Sequence, residues 1–228
     1  MYPVLLVQNS FVTPAKKFFE RRKSRHQLEM ALQKFEKENE ALRSELIELR
    51  SRILYEEDIS ELVAFKKKYD LSDALVAQII FRQISPEGHF ILLDKGTRHQ
   101  VTKDMVALYK NSVVGKVIEV YPFYSKLILI TDSLCKVAAH CSKTKASGIH
   151  VGRNEKNSTV LEKVSHLSSV QEDDVVISSG EGLVFPRGFA LGKIKTVQRE
   201  DLFFNISVEP LIDLDEISYC MLIKKGTV

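Results

Sequence analysis

The hydrophobic period of this chain changes once, near residue 70, and that change constrains the fold more than any other feature. From Ala15 to about Tyr69 there is no Gly or Pro, and the apolar residues recur at helical spacing. From Leu71 onward they alternate, β-branched residues are common, and turn residues recur at short intervals. A helical repeat and a two-residue repeat cannot serve the same element. The sequence therefore predicts an α-helical N-terminal part followed by an all-β region.

The helical part carries a heptad seam: Leu28, Leu32, Phe35, Asn39, Leu42, Leu46, Leu49 and Ile53. The spacings alternate between four and three, which is the roughly 3.5-residue period that keeps one stripe against a partner helix. Leu28, Phe35, Leu42 and Leu49 fall at d, and Leu32, Asn39, Leu46 and Ile53 at a. Leu at most d positions suits a parallel dimer, and a lone Asn at a sets register because its amide is best satisfied against its twin. Glu38 and Glu45 at g would face Arg43 and Arg50 at e of the partner. Beyond Ile53 the seam fails at Glu56 and Ser60, and Ile59, Leu62, Val63 and Phe65 form a different face, suited to docking on the following domain. The expected coiled-coil helix spans 26–69. Residues 1–25 form a separate basic segment, in which Lys16, Lys17, Arg21, Arg22, Lys23 and Arg25 face one acid, Glu20. That cluster reads equally as a solvated helix end or as a surface near anionic lipid.

Twelve strands are expected: Leu75–Gln83, His89–Asp94, Met105–Lys110, Val113–Tyr121, Lys126–Thr131, Lys136–Cys141, Ser147–Val151, Thr159–Val164, Asp174–Ser178, Ala190–Arg199, Phe203–Glu209 and Ile217–Lys224. Turns are expected at 85–88, 110–112 and 152–157. Many short strands with this punctuation read as a sandwich or barrel. No helical pattern lies between them, so a doubly wound sheet is not expected.

Catalytic patterns are missing from the sequence. The glycines from Gly180 to Gly188 lack the Lys-Ser/Thr of a phosphate loop and the dinucleotide spacing. Neither Ser178 nor Ser179 has a Gly two places before it, as a nucleophile elbow requires. Cys135, His140 and Cys141 are too sparse for a structural zinc site, and three cysteines, with Cys220, make no disulfide framework. The net charge of +3 is too weak to point to nucleic acid, and Pro14 would interrupt a basic DNA-reading helix. No stretch reaches the ~20 apolar residues of a membrane helix, so any N-terminal anchor is absent or truncated. No enzyme, cofactor, metal or nucleic-acid partner is expected.

Several ordered motifs in the β region carry a family resemblance. They are Leu92-Leu-Asp-Lys-Gly96 with Val101 and Met105-Val106, Val113-Val-Gly-Lys-Val117, Ser125-Lys-Leu-Ile-Leu-Ile-Thr-Asp132 and Ala146-Ser-Gly-Ile149. The strongest is Asp174-Val-Val-Ile-Ser-Ser-Gly-Glu-Gly-Leu-Val-Phe-Pro-Arg-Gly188, leading into Leu191-Gly-Lys-Ile194; Val208-Glu-Pro210 and Asp213-Leu-Asp215 follow. In order and spacing, these resemble the MreC family of bacterial rod-shape-determining proteins. The resemblance implies a non-enzymatic scaffold of the cell-elongation complex, anchored in the inner membrane with its coiled coil and β domain in the periplasm. It implies a homodimer that can form filaments. It also implies links to MreB, MreD, RodA and an elongation-specific penicillin-binding transpeptidase, through which peptidoglycan synthesis and cell shape are organised. It further implies that residues 71–228 form two small barrel-like subdomains meeting near 133–136. The matched Gly96, Gly115, Gly180, Gly182, Gly188 and Gly192 are expected where strands turn or backbones approach closely, with Phe185 and Pro186 fixing a rigid loop. Gln100 and Asp104 stand where the family usually has Gly. The cluster Lys16–Arg25 would lie on the periplasmic side, against the positive-inside tendency. The alternative is a periplasmic adaptor of an efflux or secretion assembly, although such adaptors usually set a helical hairpin between two halves of a β domain.

Overall fold

The computed structural model describes residues 33–50, 73–200 and 202–224, together with residues 30, 60 and 63. The chain divides into two compact units, Met1–Glu56 and Glu57–Val228.

In the first unit, residues 33–50 form one continuous helix, α1. Its Leu, Glu, Lys, Arg and Ala content favours the helix throughout. Lys34 and Glu38 pair one turn apart at 3.8 Å. Such an exposed pair adds only a few tenths of a kcal/mol, on the order of 0.3.

In the second unit, the described residues form one twelve-stranded sheet. The strands are β1 (Leu75–Ser85), β2 (Gly88–Leu93), β3 (Val106–Tyr109), β4 (Ser112–Val120), β5 (Ser125–Leu129), β6 (Lys136–Cys141), β7 (Ser147–Glu155), β8 (Ser158–Ser165), β9 (Val175–Ser178), β10 (Ala190–Glu200), β11 (Phe203–Pro210) and β12 (Tyr219–Ile223). Each expected strand is present; Lys136–Cys141 keeps its bounds and the others have ends shifted by a few residues. One expected turn is wrong. β7 continues through Gly152 to Glu155 and pairs Glu155 with Ser158, so the turn is Lys156-Asn157 alone. Gly152 looks like a turn residue, but here it admits a neighbouring backbone: an added Cβ would lie 2.2 Å from the Thr131 carbonyl carbon.

Strand pairing closes two rings. One runs β4-β3-β12-β1-β2-β5 and closes through β4–β5; the other runs β11-β8-β7-β6-β9-β10 and closes through β10–β11. Closure gives each central strand partners on both sides and removes the open edges that invite aggregation. The rings are joined in the sheet by a short parallel contact, Ala190 opposite Ser112. The first ring is filled by Ala77, Ile91, Leu93, Val106, Leu108, Val117, Leu127 and Leu222, and the second by Val137, Leu161, Val176, Leu191, Ile206 and Val208, all buried. The alternation of the sequence thus places one face of each strand inside a ring. β12 is the surprise, because it leaves the second ring's run of strands and returns to close the first, between β1 and β3.

Candidate functional site

Among the described residues, no group of three or more His, Cys, Asp or Glu side chains could hold a metal ion. Cys135, Cys141 and Cys220 are buried, unpaired thiols. Burial pushes Cys135 and Cys220 up to about 12, which keeps them in the unreactive thiol form. Ser178, within the strongest motif, is a structural pin. Its buried hydroxyl donates to the Pro186 carbonyl and accepts from Phe189 N–H at 3.1 Å. The main-chain bonds Gly188 N to Ser178 O and Ser178 N to Phe189 O complete the clamp. Phe185, within the loop so formed, is buried.

The motif glycines fall into two geometric groups. Gly180, Gly182 and Gly188 have φ of 83°, 81° and 90°. Gly96, Gly115 and Gly192 lie against backbone that leaves no room for a Cβ. Gln100 and Asp104, where glycine was expected, also sit in the left-handed region, at φ 64° and 66°. The turn around Val101 therefore keeps the conformation that favours glycine, with two less suitable residues in it. Asp104 gains a partial compensation from Lys116, 3.7 Å away.

The two rings meet at a polar junction that the sequence reading did not identify. His89 N–H donates to Asp132 Oδ2 at 2.7 Å, and the His89 ring shares a 2.8 Å hydrogen bond with Thr131 Oγ1. Asn154 bonds three ways: its N–H donates to Thr131 O, its side-chain oxygen accepts from Ser133 N–H at 2.9 Å, and its amide donates to Pro86 O at 3.0 Å. Arg82 donates to the carbonyls of Asp215 and Ile217, and Lys156 pairs with Asp215. Burial holds the His89 ring below its usual pKa, against the pull of the Asp132 and Asp215 carboxylates. A junction with this many directional bonds fixes one ring relative to the other. A second buried carboxylate, Asp174, anchors the β6–β7 turn by accepting from Ser142 Oγ and from the N–H groups of Lys143, Thr144 and Val175. Burial opposes its ionisation, and those donors together outweigh burial and lower its pKa.

Apolar side chains are exposed in several places, among them Ile80 and Phe81 of β1, α1 and the β4–β5 loop. On α1, the seam residues Phe35 (71% exposed), Leu42, Leu46 and Leu49 are uncovered, and Asn39 lies on the same helix, also exposed. Leu28, Leu32 and Ile53 of the expected seam lie outside the described residues. In the first ring, the β4–β5 loop presents Tyr121, Phe123 and Tyr124 to solvent. Single exposed apolar residues are ordinary, but contiguous ones mark contact surfaces.

The second unit is a β platform of two closed rings, and the separate helical unit carries an exposed apolar stripe. The model of the family described as rod shape-determining protein MreC, barrel core, matches residues 79–224. The chain belongs to that family. It is 25% identical over 209 residues to the cell shape-determining protein MreC of Escherichia coli strain K12, covering 88% of this chain and 55% of that protein. It thus spans little more than half the length of that relative. The crystal structure of MreC from Pseudomonas aeruginosa superposes with a TM-score of 0.63 at 25% identity, over 66% of this chain and 99% of that one. A complex between a penicillin-binding protein and MreC from Helicobacter pylori shares the fold, with a TM-score of 0.53 at 14% identity over 67% of this chain and 99% of that one.

Proposed function

We propose that this chain is a non-enzymatic scaffold of the bacterial cell-elongation complex, controlling cell shape by organising peptidoglycan synthesis. The observation that carries this reading is the family match over nearly all of the double ring, residues 79–224. The complex of a relative of the same fold with a penicillin-binding protein supports an elongation-specific transpeptidase as a partner. MreB, MreD and RodA are further proposed partners, on the family resemblance. Two barrel-like subdomains are proposed within 71–228. The chain crosses from the first ring to the second between Leu129 and Lys136, near the expected boundary at 133–136. The proposed location is the inner membrane, with the coil and β domain in the periplasm. No helix of the described residues is long and apolar enough to cross a membrane, so anchoring is assigned to a segment outside them or to association. Depleting the chain from a rod-shaped host should round the cells and delocalise wall insertion; rods that keep their shape and insertion pattern would refute the scaffold role.

Residues 26–69 are proposed as a parallel dimeric coiled coil, and the residues 1–25 as a basic lead-in. The uncovered Phe35, Leu42, Leu46 and Leu49 support it, since this stripe exposes apolar area that a partner helix would bury. Asn39→Val should raise the thermal stability of the helical signal and broaden the oligomer distribution in sedimentation. A clean monomer for both proteins at high concentration would reject the dimer.

A further inference from the structure

The β4–β5 connection is Tyr121-Pro122-Phe123-Tyr124, a hairpin tip without Gly, Asn or Asp. It is nevertheless well built. Tyr121 N–H donates to Tyr124 O at 2.9 Å, Thr97 N–H donates to Tyr121 O at 2.9 Å, and Arg98 N–H donates to Pro122 O at 3.2 Å. Gly96 permits this approach, because a Cβ there would lie 2.1 Å from Tyr121 O. The Tyr121 and Tyr124 rings stack with centroids 4.5 Å apart. Phe123 is 59% exposed, and the Arg98 guanidinium lies over it at 4.3 Å. The fold thus fixes an aromatic tip in an exposed turn, where it contributes nothing to the core.

The charges around the tip have a definite balance. Asp94 pairs with Lys95, Asp104 with Lys116 and Glu119 with Lys126. Glu119 also accepts the Tyr121 hydroxyl at 2.7 Å. With the three acids matched by three lysines, Arg98 and Lys103 remain as a local cationic excess, and Lys103 is near enough to act on Glu119. An exposed aromatic tip with a local cationic excess offers a peptide neither a groove nor a free strand edge, since β4 and β5 are both paired on either side. It does suit a flat anionic surface, where amphipathic rings settle at headgroup depth and each basic side chain adds attraction.

We propose that the β4–β5 loop docks on an anionic phospholipid bilayer, with Phe123 entering the headgroup region and Arg98 and Lys103 facing the phosphates. The contact is peripheral and orients the first ring on the membrane.

The chain contains no Trp, so Phe123→Trp in the full chain gives a reporter unique to the tip. Vesicles of phosphatidylglycerol and phosphatidylethanolamine should shift its emission to shorter wavelength, and brominated lipid should quench it; phosphatidylcholine vesicles should do neither. Adding Arg98→Glu should weaken the titration by roughly thirtyfold, as expected for a change of two charge units at the surface. Both positions are exposed, and circular dichroism checks that the variants fold. Vesicle binding without a change in Trp emission overturns the proposal, since binding would then reside elsewhere, as in Lys16–Arg25. An emission shift that grows with protein concentration without vesicles assigns the tip to a second copy and also overturns it. So does a shift reproduced by inorganic phosphate alone.

Discussion

Replacing Gly115 with alanine should cost the second unit at least about 3 kcal/mol, at the upper end of what overpacking usually does. The reason is local. Gly115 lies in β4 opposite Ala107 of β3 and Leu129 of β5. A Cβ there would stand 1.9 Å from the Ile128 carbonyl oxygen and 2.9 Å from its carbon. Backbone cannot swing aside as a side-chain end can, so β4 and β5 must part and lose ladder hydrogen bonds in the strand pair that closes the first ring. For a protein of this size each kcal/mol moves the melting temperature by about 2–4 °C, so a fall of about 10 °C is expected. Gly182→Ala is the control. Nothing lies within 4 Å of its added Cβ, although φ is +81°, and the left-handed conformation alone should cost about 1 kcal/mol. Equal shifts for the two variants in a thermal melt would reject the close-approach account.

The second large effect is acid lability arising from His150. This side chain is fully buried in the second ring. Thr159 Oγ1 donates to the Val208 carbonyl at 3.0 Å, so it accepts from His150 Nε2–H at 2.9 Å. Nδ1 then holds a buried lone pair with no partner among the described residues. Burial lowers the pKa of His150 to about 4. The unfolded chain takes up this proton near 6.5 and the folded chain only near 4. Between those values the unfolded state binds more protons, so stability falls as pH drops from about 6.5 to about 4 and this group adds no further slope below that. The loss is about 3 kcal/mol, from about 1.4 kcal/mol per pKa unit. Asp174 acts lower on the scale. Its carboxyl is depressed when folded, so its contribution is present above the ordinary carboxylate range and is lost as pH falls through the folded value. Urea melts from pH 7 to 4 should show the first loss, and His150→Leu should remove most of it, leaving the smaller slope of His89 and His140, both also lowered by burial. An unchanged slope in His150→Leu would refute the assignment.

The strands were legible because burial imposes alternation on each of them. Lys136–Cys141 has the same bounds in the sequence reading and in the fold. Legibility failed where a residue's reason lies far away in the chain. Gly152 and Asn154 look like turn formers, yet one admits the Thr131 backbone and the other bonds to Pro86 across 68 positions. His89 gave no local sign of Asp132, 43 positions on. The return of β12 was invisible for the same reason, since nothing in Tyr219–Ile223 records that its partners are β1 and β3. The aromatic tip had a local signal, four residues of Tyr, Pro, Phe and Tyr at a hairpin where Gly or Asn is usual. Only its first residue falls within an expected strand, Val113–Tyr121, because Tyr also favours strands; Pro122, Phe123 and Tyr124 fall between the expected strands, and nothing local beyond that composition marks them as an ordered tip.

That return of β12 also sets an order of assembly. The second ring is built from one contiguous stretch, Lys136 to Pro210, and can close as soon as that stretch has emerged. The first ring begins earlier in the chain but must wait for Tyr219–Ile223, with β1 and β3 each lacking a neighbour meanwhile. The part made first is finished last. A cut or stop codon before Tyr219 therefore does more than shorten the chain: it leaves a permanently open ring whose two bare strand edges invite pairing with other molecules.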